Sequence, residues 1–337
     1  MKISGNYSSY FVKVLNGMGL GLFSSLIVGL ILKQAGAYFG VSLLTTLGSM
    51  AQLAMGPAIA AGIACGIDAP PLAIFSVLSV GFIGAGTFAG ASPAAGEPMG
   101  AAIAAVVGAE AGKLIRRLSG RSIDIILIPA GVIIAGGFAG ITVAPYVATL
   151  MKWIGGLINT ATTMHPAIMG VLVSVIMGII LTLPISSAAL AISLGLSGLA
   201  AGAATVGCSC QMIGFAVSSF RENGVGGLVS QGIGTSMIQM PNIVKNPWIW
   251  VPPTLASAVL GPVATVIFKM KNISVGAGMG TSGLVGQVAT FEAMGSAAWP
   301  GVIILHFVLP ALLSYVFAEY LRKRGFIGSS DMTLSLK

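Results

Sequence analysis

Long apolar runs, repeated along the chain, constrain this sequence more than any other feature. The first extends from Val14 to Leu32, and others cover roughly 41–64, 70–90, 98–115, 122–150, 167–184 and 186–206. A membrane helix needs about 20 mainly apolar residues. A chain built this way has too little polar surface for water. Only 7% of its residues are charged and 56% are hydrophobic, whereas a soluble domain carries about 25% charged residues. The expected fold is therefore all-α and polytopic, in a lipid bilayer, because helices satisfy their own backbone where water is absent. The 48 glycines fit that reading, since small residues let membrane helices approach closely. The first run exceeds a signal peptide's apolar core of about 7–15 residues, so it reads as a retained helix.

Further runs occupy 208–220, 226–244, 251–268, 276–294 and 299–321. Counted singly, the runs are too many for full crossings. Segment 208–220 is short, and 276–294 is rich in Gly, Ser and Thr. About ten transmembrane helices are expected, with re-entrant or broken segments near 226–250 and 274–294. Residues 1–337 read as a single membrane domain. The Gly56-Pro57-Ala58-Ile59 and His165-Pro166-Ala167-Ile168 openings hint at a weak duplication of 56–150 and 165–270. Basic residues set orientation. Placing the clusters at Lys113–Arg121, Arg221, Lys269–Lys271 and Arg322–Arg324 on the cytoplasmic side leaves only Lys33, Lys152 and Lys245 outside. Both termini are then cytoplasmic. The net charge of +8 is explained by these loops, and no nucleic-acid partner is expected.

Three stretches could carry chemistry. In 231–262, Pro241, Pro247, Pro252 and Pro253 remove backbone donors and interrupt the helix. Broken backbone at membrane depth is tolerated where it is buried or lines a wet cavity. Gln239, Asn242 and Asn246 lie beside it and offer neutral hydrogen bonds, suited to a polyhydroxylated or amide-bearing solute. In 274–292, five glycines disfavour a continuous helix, and Thr281, Ser282 and Gln287 would face the resulting turn. The third stretch, 91–100, holds Glu97 between Gly and Pro. An acid inside a membrane protein is a functional hypothesis by default, so Glu97 and Glu292 are candidates for solute or proton handling, as is His165 before Pro166. Against each stands a structural reading: an interfacial loop, close packing, or an aqueous position. His306 reads as a packed histidine. Cys65, Cys208 and Cys210 form no metal-ligand pattern, and no metal, cofactor or catalytic residue is expected.

The Gly-Thr-Ser-Met step at 234–237, Pro241-Asn-Ile-Val-x-Asn-Pro and Val251-Pro-Pro resemble the membrane subunit, enzyme IIC, of the bacterial sugar phosphotransferase system. The opening Val14-Leu-Asn-Gly-Met-Gly-Leu-Gly and Gly278-Met-Gly-Thr-Ser-Gly-Leu-Val-Gly-Gln look like a stand-alone branch of it. The resemblance implies a homodimeric permease in the plasma membrane of a bacterium. It would import a sugar or derivative by alternating access, and a separate IIB-type phosphocarrier protein would phosphorylate that sugar. Asn246 and Pro247 take the Asn-Pro positions. Where many sugar members carry Asn-Glu-Pro, this chain has Met240-Pro241-Asn242, with no acid. Two other readings stay open: an ion-coupled secondary transporter using Glu97 or Glu292, and a non-transporting membrane sensor. On the first reading Gln239, Asn242, Asn246, Thr281, Ser282, Gln287 and Glu292 line the solute site, and Asn246→Ala weakens binding.

Overall fold

The computed structural model describes residues 5–90, 92–119 and 123–334; Arg121 of the first basic cluster lies outside them. The described chain is built from helices, with one isolated bridge between Gly198 and Asn272. It divides into two compact units, Met1–Leu150 and Met151–Lys337.

In the first unit, α1 (Gly5–Leu22) continues through a π-helical turn at Phe23–Ile27 into α2 (Val28–Phe39). Gly40, in the left-handed region at φ 70°, ends that rod. Then α3 (Ser42–Leu53) and α4 (Met55–Gly66) form one apolar stretch bent by 52°. Next come α5 (Pro71–Ala85) and α6 (Pro98–Leu118), each opened by a proline at a position that needs no backbone donor. The last is α7 (Asp124–Thr162), which continues past the division and keeps Pro129 and Pro145 inside. At Gly17 and Gly62 the backbones of α1 and α4 meet, and a Cβ on either would overlap the other's carbonyl. Phe39, Phe138 and Ile134 stand exposed, as expected of a surface solvated by lipid.

In the second unit, α8 (Pro166–Thr182) is followed by the short α9 (Ser187–Ser193) and the 21-residue α10 (Gly198–Ser218). Almost all of α10 is buried, including Cys208, Ser209, Cys210 and Gln211. Here the structure corrects the sequence reading, which ended one run at 206 and began a short one at 208. The chain breaks earlier, at Gly195 and Gly198, both with φ 60°. The Gly-Cys-Ser-Cys stretch stays helical because its small side chains let α8 and the following helices pack directly on it. A Cβ on Gly207 would overlap the Ser174 carbonyl of α8. Overpacking of this kind costs about 1–3 kcal/mol. Gly207→Val is therefore expected to lower the unfolding temperature of the detergent-purified protein and broaden its size-exclusion peak. An unaltered Tm would show that α8 and α10 are not in backbone contact there.

The expected interruptions are present. After α11 (Phe220–Val229), a π-turn at Ser230–Gly234 leads to extended Thr235, a 3-10 turn at Ser236–Gln239, α12 (Met240–Lys245) and a second 3-10 turn at Pro247–Trp250. The chain then runs through α13 (Val251–Pro262) and a π-turn at Val263–Ile267. The second interruption comprises α14 (Ser274–Ala277), a left-handed turn at Gly280, Gly283 and Leu284, and α15 (Val285–Met294). Finally α16 (Ala298–Gly301), a π-turn at Val302–Val308 and α17 (Leu309–Lys323) complete the chain's helices.

Six helical runs among the described residues are long and apolar enough to cross a membrane, or seven counting the bent α3–α4 pair. Pro71–Ala85 and Pro166–Thr182 are shorter apolar helices. Sidedness within the second unit differs from the sequence reading. Asn246 reaches the Phe326 carbonyl and Asp331 at 2.8 and 2.7 Å. Lys245 therefore shares an end with Arg322 and with Arg221, whose neighbour Glu222 pairs with Arg322 at 2.6 Å. The run Pro247–Ile267 has 21 residues, enough for about 30 Å at 1.5 Å per residue. It leads away to Lys269 and Lys271 at the other end, where Asn272 and Gly198 exchange main-chain bonds of 3.0 and 3.2 Å. Segment 226–245 thus enters and returns, and moves Lys269 and Lys271 away from Arg221.

Candidate functional site

The two interrupted segments meet inside the second unit. Thr281 Oγ1 donates to the Gly232 carbonyl, and Ser282 Oγ donates to the Gly234 carbonyl at 2.9 Å. Those acceptors arise where the π-turn gives way to extended Thr235 (φ −158°, ψ 143°), which ends the regular bonding of the helix. Carbonyls freed in this way need partners at membrane depth. The hydroxyls of the glycine-rich turn supply them, and both are buried. Gly280 and Gly283, with φ 52° and 53°, hold that turn in a region that glycine adopts readily.

Gln287 sits one turn further on, at the start of α15, and is buried. Its Nε2 lies 3.3 Å from the Gly280 carbonyl and 3.0 Å from His306 Nδ1. His306 is fully buried in the π-turn before α17. With Gln287 Nε2 donating, His306 Nδ1 accepts, so the ring proton resides on Nε2. Two buried atoms then have no protein partner: Gln287 Oε1, an acceptor, and His306 Nε2, a donor. Reversing the amide exchanges these roles but still leaves one donor and one acceptor. The Gly280 contact favours the first arrangement, because a carbonyl requires the amide nitrogen.

Two further polar clusters adjoin this region along α10. Gln211 accepts from Trp250 Nε1 at 3.0 Å and from Thr182 Oγ1 at 3.3 Å, and donates to Thr254 Oγ1 at 3.1 Å. Thr182 also meets Ser236 Oγ at 2.8 Å. Asn272 Nδ2 lies 2.7, 3.0 and 3.0 Å from Thr205 Oγ1, the Gly286 carbonyl and Thr290 Oγ1, three acceptors that share its two N–H groups. These clusters find partners within the protein and hold the interrupted segments against α8, α10 and α13.

The amides expected to bind solute are engaged differently. Asn242 Nδ2 donates to Gln239 Oε1, and Gln239 Nε2 donates to Gln231 Oε1, both at 2.9 Å. The remaining donors go to the C-terminal segment: Gln239 to the Met332 carbonyl at 3.0 Å and Asn242 to the Thr333 carbonyl at 2.9 Å. Asn246 binds Phe326 and Asp331, and its Oδ1 caps the Trp248 N–H at 3.1 Å. Gln239, Asn242 and Asn246 therefore form a separate, peptide-bound group.

Of the other candidates, Thr281, Ser282 and Gln287 are brought together. Glu292 is exposed on α15, outside these hydrogen bonds. His165 is exposed and caps α8, its Nδ1 accepting from the Ala167 N–H at 3.4 Å. The Thr265 hydroxyl holds the Pro166 carbonyl at 2.8 Å, which places His165 at the Lys269 end. Glu97 belongs to the first unit, is half-buried at the start of α6, and its N–H bonds the Ala85 carbonyl at 2.9 Å. The sequence reading took His306 as a packed histidine, which its burial against Gln287 matches, and passed over Gln211 and Asn272. The available signal was a lone polar side chain within an apolar run, which in lipid must find a partner.

Residues 12–334 match the family model described as Phosphotransferase system, EIIC. No curated protein and no solved structure matches the chain.

Proposed function

This chain belongs to the EIIC family of the phosphotransferase system, and on that membership we propose that it moves a sugar or sugar derivative across the plasma membrane by alternating access. It is a multi-pass membrane permease of the IIC type. In the proposed cycle a separate IIB-type phosphocarrier acts on the sugar at the cytoplasmic face, and the permease works as a homodimer. The cytoplasmic face would be the end bearing Arg221, Lys245 and Arg322–Arg324, which outweighs Lys269 and Lys271 in positive charge.

The observation that carries the solute reading is the buried pair of unpartnered atoms on Gln287 and His306. Leaving a buried polar group unpaired costs about 1–3 kcal/mol. Hydroxyls would relieve both, accepting from His306 Nε2 and donating to Gln287 Oε1. A sugar presents several hydroxyls, and a charged solute would find no fixed countercharge here. Thr281 and Ser282 shape the site by fixing the turn, with their hydroxyls committed to Gly232 and Gly234.

A thermal-shift screen of the purified protein against sugars, polyols, nucleosides and organic acids tests this. A ligand at 100 times its Kd stabilises the folded state by about 2.7 kcal/mol. A neutral polyhydroxylated compound is expected to raise the Tm. Stabilisation by organic acids alone would reject the sugar reading. Uptake that persists without the phosphocarrier and collapses with the ion gradient would favour the ion-coupled alternative.

A further inference from the structure

The segment after α17 does not trail into solvent. Met332 is fully buried and Ile327 nearly so, while Gly328, Ser329 and Ser330 between them are exposed. The segment is held mainly through its main chain. The Met332 carbonyl accepts from Asn223 Nδ2 at 2.8 Å and Gln239 Nε2 at 3.0 Å, and the Thr333 carbonyl accepts from Asn242. The Leu334 N–H donates to Asn223 Oδ1 at 2.8 Å. Phe326 lies against the Trp248 ring at 4.5 Å between centroids, and Asp331 binds both Asn246 and the Gly328 N–H.

These contacts define a peptide groove. Side-chain amides of Asn223, Gln239, Asn242 and Asn246 read main-chain carbonyls and N–H groups, which any sequence offers. The buried Met332 side chain supplies selectivity. The groove is also continuous with the moving parts required of a transporter. Gln239, Asn242 and Asn246 lie on the interrupted segment, and Gln239 is joined through Gln231 to Ser219 at the end of α10. Beneath the segment, a cavity of about 550 Å³ is lined by Arg221, Glu222, Arg322, Ile327, Ser329 and Thr333.

We infer that residues 326–334 are a self-docked peptide that clamps the interrupted segment to α11 and α17, and that undocking it speeds the transport step. The clamp ties three chain stretches mostly with hydrogen bonds between neutral groups, together with those accepted by the Asp331 carboxylate. Its effect on flux rests on the transport reading above; its docking does not.

The test uses the chain truncated after Gly325, in nanodiscs, and a fluorescein-labelled synthetic peptide of residues 326–334. Fluorescence anisotropy is expected to show saturable binding to the truncated protein. Binding should be at least 10-fold weaker to the full chain, whose groove is filled, and at least 10-fold weaker for the peptide carrying Met332→Asp. No binding, equal binding to the full chain, or indifference to Met332→Asp would overturn the groove. A second variant covers the case in which truncation impairs folding. Asn223→Ala in the full chain should speed tryptic cleavage after Arg324 several-fold; an unchanged rate would count against the clamp. In proteoliposomes, the truncated protein should take up the sugar found by the screen several-fold faster, and added peptide should reverse this. Uptake that is slower than wild type, or unaffected by bound peptide, would overturn the restraint while leaving the docking result standing by itself.

Discussion

Gln287→Leu is expected to weaken binding of the stabilising sugar by about 5- to 100-fold, and to lower the Tm of the free protein as well, because buried His306 Nδ1 loses its donor. The substitution keeps roughly the same volume at the start of α15 but removes the amide between the Gly280 carbonyl and His306. His306 then loses the partner that fixes its tautomer, and the sugar hydroxyl loses its acceptor. A buried donor or acceptor left unpaired costs about 1–3 kcal/mol, which corresponds to that range of affinity. The loss of Oε1 falls on the complex, because Gln287 Oε1 has no protein partner in the free site, whereas the loss of Nε2 falls on the free protein and shows in its Tm. His306→Phe should act in the same direction through the lost Nε2–H. Titration calorimetry on both variants checks the prediction. Affinities within a factor of two of wild type would remove these residues from the solute site.

Arg322→Met is expected to lower the unfolding temperature by on the order of 10 °C. Glu222 is the reason. Its side chain is 6% exposed, that of Arg322 is 12% exposed, and they meet at 2.6 Å. Taking away one member of a buried pair leaves the other charged in a poorly solvating place, at a cost of about 3–5 kcal/mol. In a unit of this size each kcal/mol shifts Tm by about 2–4 °C. Glu319 does not suffer equally, because Arg221 also holds it at 3.1 Å. The double variant Arg322→Met with Glu222→Gln should recover most of the loss, since no buried charge then remains unpaired. Thermal unfolding followed by tryptophan fluorescence separates the two variants. A double variant as unstable as the single one would show that packing of the Arg322 stem, and not the charge of Glu222, sets the stability there.

Both interruptions near 226–250 and 274–294 were legible because proline and left-handed glycine carry a local signal that any environment must obey. Thr281 and Ser282 were expected to line the solute site; that their hydroxyls reach the Gly232 and Gly234 carbonyls could not be read from the sequence, which does not say which carbonyl a hydroxyl will meet. Other features left no such trace. The continuity of α10 was hidden because Gly207, Cys208, Ser209 and Cys210 look like a weak helix in water, whereas among packed membrane helices they make a contact surface. The positions of Lys245, Lys269 and Lys271 were misjudged because counting loop charges treats every apolar run as a crossing, and the re-entrant run 226–245 does not cross. The hydrogen bonds of Gln239, Asn242 and Asn246 to residues 326–333 were not legible for another reason: their partners there are mostly main-chain carbonyls, which look alike in every sequence. Composition correctly marked these amides as hydrogen-bonding groups and could not tell a sugar from a peptide.

The most direct test of the account is a double-mutant cycle between protein and ligand. The sugar identified by the screen and its set of mono-deoxy analogues would be titrated into wild-type protein and into Gln287→Leu. One deoxy position should lose about 5- to 100-fold in affinity for wild type and lose almost nothing further in Gln287→Leu, because the same hydroxyl–amide bond has been removed from either side. If every analogue shows the same penalty in both proteins, Gln287 and His306 do not hold a sugar hydroxyl, and the seam between the interrupted segments is not the solute site.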